Sequence, residues 1–264
     1  MPTFQNTTFA SFFKRIFQVS QTSNTGVDAT TRSVETGDGA KTSISISDDQ
    51  LVVQPQNDDG RAFIVNNQGG SRILTVNTGD SNVKIGASQV AANTQYAYFG
   101  VGSAQGLSAV AGTHYLIPTG NLAFSSGTIA FGTGGEPSTS YDISANNNAD
   151  DVAVCLWYVP DDITVDQVYL LSGGNAASGD TINIHLLSFD FDAGAGAGKG
   201  DLSNGVVIAG GADIASLGYE NVIYQSTAPS SADVDAGKVI VASFESNGTN
   251  SDYGLNITVK YHIR

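Results

Sequence analysis

The side chains able to do chemistry in this sequence are few and widely spaced. Three histidines, His114, His185 and His262, stand far apart, and none shows the ligand spacing of a zinc site. The single cysteine, Cys155, lies in Val152-Ala153-Val154-Cys155-Leu156-Trp157, where it reads as a small buried hydrophobe. Asp190, Asp192 and Asp201 flank the run Gly194-Ala195-Gly196-Ala197-Gly198-Lys199-Gly200. They could crowd a calcium ion, but the spacing of an EF-hand is missing and solvated loop acids are the plainer reading. The glycines resemble a phosphate loop only superficially. Ala193 stands where its first glycine belongs, and no Ser or Thr follows Lys199. Gly102-Ser103-Ala104-Gln105-Gly106 lacks the order of a nucleophile elbow. Acids are plentiful enough for a glycosidase pair, yet the carboxylate separation which that chemistry needs is a property of the fold. No catalytic residue, metal or cofactor is assigned, and the chain is expected not to be an enzyme.

The composition points the same way. The chain has 264 residues, of which 14% are charged and 31 are Gly, with a formal charge of -14. A soluble domain averages about a quarter charged residues. Helical bundles and α/β enzymes need long runs of good helix formers, which are missing here. Nucleic-acid binding needs clustered cations, and none exist. Nothing approaches 18 consecutive apolar residues, so no membrane insertion is expected. Lys14 and Arg15 lie inside the first apolar stretch instead of before it, unlike a secretory signal.

The charge is unevenly spread. Residues 1–32 hold Lys14, Arg15 and Arg32 against Asp28 alone, a net of +2, so the remainder carries -16. Within this segment Phe9, Phe12, Phe13, Ile16 and Phe17 recur at helical spacing, which predicts one apolar helix face beside Lys14 and Arg15. So short a helix is marginal alone, so its face must bury against something. Self-association, docking on a larger assembly and a membrane surface are the alternatives, the last weakened by a poor polar face. Residues 1–40 are read as an attachment segment.

From residue 41 to 90 short β runs separated by turns take over. Val53, Phe63, Ile73 and Val83 recur ten residues apart, with Asn57-Asp58-Asp59-Gly60, Asn67-Gln68-Gly69-Gly70 and Thr78-Gly79-Asp80-Ser81-Asn82 between them. Such units cannot bury their own apolar faces, so three chains wound about one axis, with these four residues as core, are expected in preference to a simple meander. Residues 91–112 read as a connector. Residues 113–264 carry about ten strand signals, including Val152 to Val159, in the pattern of a sandwich or jelly roll. Trp157, Leu186, Phe244, Ile257 and Val259 are its expected core. The last strand alternates cleanly, placing Asn256, Thr258, Lys260 and His262 on its polar side. The fold class is thus all-β: an N-terminal helix or extended anchor, an intertwined trimeric shaft and a jelly-roll head.

Three stretches give this layout a resemblance. Phe12-Phe13-Lys14-Arg15-Ile16-Phe17-Gln18-Val19, running on to Arg32, resembles the N-terminal anchor of fibre-like virion proteins of marine tailed bacteriophages. Leu51-Val52-Val53-Gln54-Pro55 and Ile73-Leu74-Thr75-Val76-Asn77 are similar to their shaft repeats. Asp201-Leu202-Ser203-Asn204-Gly205, Asp235-Ala236-Gly237-Lys238-Val239 and Val259-Lys260-Tyr261-His262-Ile263-Arg264 are similar to their trimeric heads. The resemblance implies a homotrimer on the particle surface, bound to head or tail proteins by its N-terminus. Its head would then adsorb to a host glycan or protein. No catalytic residue comes with it. Loops 172–180, 192–204 and 246–252, with Asn175, Asp192, Asp201 and Asn247, are candidate receptor contacts by position. A capsid decoration protein is the alternative, and a polysaccharide depolymerase a more distant one.

Overall fold

The computed structural model describes residues 16–20, 26–101, 107–108, 110–120, 129–146, 149–174, 181–194, 196, 198–210, 213–215, 221–247 and 252–264. The chain is all-β with two short helices among these residues. It divides into two units, Met1–Ala92 and Asn93–Arg264.

The first unit holds two antiparallel sheets. One is β1 (Phe17–Val19), β2 (Arg32–Thr36), β3 (Lys41–Ile46) and β4 (Leu51–Val53), in sequence order. The other is β5 (Phe63–Asn66), β6 (Arg72–Asn77), β7 (Asn82–Ile85) and β8 (Val90–Ala91), also in order. Its hairpins are set by turn chemistry. Gly70 adopts φ 82° in the β5–β6 turn, and the Asn77 side-chain oxygen accepts a 3.0 Å bond from the Asp80 amide. The expected boundary at residue 40 is instead a hairpin, since the Thr36 amide donates to the Ala40 carbonyl. Phe17 lies in β1, so the expected helix does not extend that far; Phe9, Phe12, Phe13, Lys14 and Arg15 lie outside the described residues.

The second unit contains β9 (Thr94–Val101), β10 (Leu107–Ser108), β11 (Thr113–Ile117), β12 (Ala130–Thr133), α1 (Ile143–Asn146), α2 (Ala149–Ala153) and β13 (Trp157–Tyr158). It continues with β14 (Ile163–Gly174), β15 (Thr181–Phe191), β16 (Leu202–Gly210), β17 (Ile214–Ala215), β18 (Asn221–Thr227), β19 (Asp233–Val234), β20 (Val239–Ser246) and β21 (Asp252–Ile263). One sheet runs β10-β21-β14-β18, with β9 also on β21 and β19 on β14. The other runs β12-β11-β20-β15-β16, with β13 on β20 and β17 on β15.

Two apolar clusters hold this unit together. The larger lies between the sheets and draws Phe99, Leu170, Ile257 and Val259 from one, and Ile117, Leu186, Ile240 and Phe244 from the other. Trp157 is partly buried against it. The second covers the outer face of the seven-stranded sheet, where Phe131, Tyr141, Val152, Leu187, Phe189 and Val241 meet. Burial of a large apolar side chain stabilises by about 1.5–3 kcal/mol, so these two layers dominate the unit's stability.

Two expectations are corrected here. Residues 94–101, read as connector, are β9, because their alternation supplies Phe99 and Val101 to the core. The continuous strand expected from Val152 to Val159 is α2 followed by the two-residue β13. Asp150 and Asp151 occupy the first helical turn, where carboxylates favour the helix dipole, and Val152 is its buried residue.

Candidate functional site

The first unit presents an unusual surface. Among its described residues no hydrophobic side chain is buried. Strand register shows why. Phe63 pairs with Val76, and Val76 with Val83; Val65 pairs with Leu74, Leu74 with Ile85, and Ile85 with Val90. Directly paired residues point to the same side, so these seven apolar side chains share one face. Phe63, Val65, Val83 and Ile85 on it are exposed. The opposite face carries the unit's buried polar residues, Thr75 and Asn77. Thr75 donates to Gln89 at 2.6 Å and Asn77 to Asp80 at 2.5 Å. Ile64 and Ile73 share that opposite face and are also exposed, while Leu74, Val76 and Val90 on the apolar face are partly exposed.

The residues expected to form a single shaft core separate in this arrangement. Val53 belongs to the first sheet, opposite Ile44. Phe63 and Val83 share the apolar face described above. Ile73 alternates with Leu74 and so faces the other way, half exposed. A ten-residue period does not keep one face when the turns differ in length. In the first sheet Phe17 and Leu51 are 67% and 70% exposed. Arg32 is held by Asp28, with contacts of 2.5 and 3.0 Å. The Arg32 hydrogen bond, aided by the Thr30 amide, holds the Asp28 carboxyl at about 2.

In the second unit the proposed loop contacts are engaged with the chain itself. The Asp201 carboxylate accepts the Ile143 amide at 2.8 Å, capping α1, and the Asn247 side chain accepts the Thr181 amide at 2.6 Å. Asp192 accepts the Gly194 amide at 2.8 Å. Asn175 lies outside the described residues. At one end of the larger core Trp157, Tyr261, Gln95 and Asp161 help line a pocket of about 160 Å³. The Trp157 and Tyr261 rings lie 4.9 Å apart, and Tyr261 donates to Gln95 at 2.9 Å.

Buried ionisable groups that sequence spacing did not connect meet across β11, β20 and β15. His114 and His185 are fully buried, with ring centroids 5.3 Å apart. His114 Nε2 donates to the Gly134 carbonyl oxygen at 3.0 Å, whereas both His185 nitrogens lack a hydrogen bond. Glu136 comes within 3.5 Å of His185 Nε2, yet without hydrogen-bond geometry and with its carboxylate largely in water. Ser243 Oγ and Asn183 Oδ1, on the same sheet face, are also unpaired. Burial lowers both histidine pKa values, and His114 lowers that of His185 further. Burial raises that of nearby Glu245, with Asp213 adding to it. These are properties of a polar layer inside the sheet. Among the described residues no group of metal-ligating side chains is assembled.

Cys155 is buried, and burial first, then Asp151, pushes its thiol up to about 12. We expect no reaction with a water-soluble disulfide reagent at pH 8 in the native protein and one thiol titrated per chain in denaturant. Reaction of the folded chain within minutes would contradict this.

The fold and these surfaces define an all-β protein in which, among the described residues, the first unit has no buried apolar side chain and the second has two apolar clusters. No protein-family model matches the sequence, and no curated protein matches it either.

Proposed function

We propose that this chain is a bacteriophage virion protein: a trimeric fibre or spike attached to the particle by its N-terminus, with a jelly-roll head that adsorbs to a host-surface glycan. The observation that carries the reading is the bare apolar face formed by Phe63, Val65, Leu74, Val76, Val83, Ile85 and Val90. Isolated small sheets need a covered hydrophobic face to be stable in water. A face that the unit's described residues leave open can be covered by identical chains, and closed symmetry lets every copy be covered in the same way. The surface also suits self-contact electrostatically. The chain carries -14, yet the seven face positions are all uncharged. The acidic remainder keeps assembled heads soluble and apart.

Analytical ultracentrifugation of the full chain tests this directly. The expected species is three times the chain mass. Val76→Asp, which sets a charge between Phe63 and Val83 on the face, should shift it to monomer while the second unit keeps its thermal transition. A wild-type monomer at micromolar concentration, or an unaltered trimer in the variant, would remove the support for the reading.

A further inference from the structure

The pocket at the end of the larger core is walled by both sheets of the second unit. On the six-stranded sheet Tyr261 of β21 pairs directly with Gln95 of β9, and Ile263 with Ile163 of β14. Tyr261, Ile163 and Ile263 pack against the core between the sheets, so Gln95 shares their face at its exposed rim. Trp157 comes from the other sheet, opposite Ile240 of β20, and the loop after it brings in Asp161. The space these residues line is about 160 Å³. A cavity of about 150 Å³ holds one benzene ring, so this one takes a single six-membered ring.

We infer that this pocket binds one uncharged sugar ring, a reading that rests on the adsorption role proposed above and gives that role its ligand class and its place. A pyranose has an apolar C–H face and a rim of hydroxyls, each both donor and acceptor. The pocket offers the matching groups. Trp157 and Tyr261, 4.9 Å apart and tilted by 57°, form an aromatic corner. Ile163 and Ile263 add apolar wall. Tyr261 donates to Gln95 Oε1 at 2.9 Å, which fixes the amide and leaves its Nε2 protons unpaired among the described residues. Asp162 is committed to the Ala236 amide at 2.8 Å. Asp161 beside it has no hydrogen bond or ion pair among the described residues. One donor and one acceptor thus stand at the mouth of an aromatic pocket, the composition of a small-molecule site.

That combination separates the ligand classes of this size. An anionic ring meets the Asp161 carboxylate. An ammonium ion can use Asp161 and the rings, but the Gln95 amide protons oppose it. A neutral ring of hydroxyls uses all of them. One sugar in so small a site binds at about millimolar Kd. Three such pockets on the proposed trimer act together, so weak single sites give firm attachment.

The test uses the full chain. Trp157 is its one tryptophan, so intrinsic fluorescence reads this pocket alone. The probes are the methyl glycosides of glucose, galactose and mannose, with glucuronate and tetramethylammonium as anionic and cationic comparators. We expect a saturable change with at least one methyl glycoside, and a weaker or absent one with both comparators. Asp161→Ala and Gln95→Ala, both at exposed positions, should each raise the Kd about tenfold without lowering Tm. No saturable response to any of the three glycosides overturns the inference. So does tighter binding of either comparator, or unaltered binding by either variant. Each of these results leaves the trimer reading standing. A monomeric wild type that binds a methyl glycoside through Asp161 and Gln95 overturns the trimer reading instead and supports the pocket.

Discussion

Gly210→Ala should destabilise the second unit more than any other single-methyl addition in it. Gly210 ends β16 at φ 139°, opposite His185. A Cβ there would fall 2.2 Å from the Ile184 carbonyl oxygen and 2.7 Å from His185 Cα, both well inside van der Waals contact. Both obstacles are backbone atoms of the central strand β15, so no rotamer change relieves them. A side chain forced into this conformation costs on the order of 1–3 kcal/mol, and overpacking typically adds about 1–3 kcal/mol. For a unit of this size the combined cost corresponds to a fall in Tm of roughly 5–15 °C by scanning calorimetry. Gly237→Ala is the control. Gly237 also has positive φ, 86°, but nothing lies within 4 Å of its added Cβ, so strain acts alone. Equal Tm values for Gly210→Ala and wild type would show that β15 yields at this point.

The second large effect is loss of stability on mild acidification. His114 and His185 are buried as neutral rings, and their native pKa values are lowered from the ordinary 6.5. Below pH 6.5 the unfolded chain takes up protons that the native state refuses, so stability falls as pH falls. The slope reaches about 1.4 kcal/mol per pH unit for each histidine. The groups facing them are Glu136, which favours the charged rings weakly from its exposed position, and Glu245 with Asp213 at the end of the same layer. Glu245 acts with the opposite sign. Its native pKa is raised, so its contribution to stability rises as pH falls toward the ordinary carboxylate range. The Tm of the second unit should therefore drop between pH 7.5 and 5.5, by several degrees. His185→Leu, which removes one titrating ring, should reduce the drop by about half. A Tm independent of pH across this interval would mean that the histidines take up protons in the folded protein as they do in the unfolded chain.

Local pattern made much of this fold legible. Low charge, frequent Gly and Asn, and period-two runs fix an all-β chain with closely spaced turns, because those signals act over a few residues. The alternation of Leu255 to Ile263 places Asn256, Thr258 and Lys260 on an outer face and Ile257 and Val259 in the core, as the structure shows. Leu186 and Phe244 are core residues for the same reason.

Pairing between distant strands decided the remainder. Ile73 turned to the opposite face from Phe63 because the turns reset the register, which a ten-residue count does not contain. Cys155 follows a helix instead of lying within a strand, since Val152 had a place in the second apolar cluster. His114 and His185 became neighbours only because β20 lies between β11 and β15. The pocket is the clearest case. Gln95 stood in an apparent connector, Trp157 near the end of one expected strand and Tyr261 in the last. They meet because β9 adds to β21 and β13 to β20, and that choice is made by burial of Phe99 and Ile240 in the core between the two sheets.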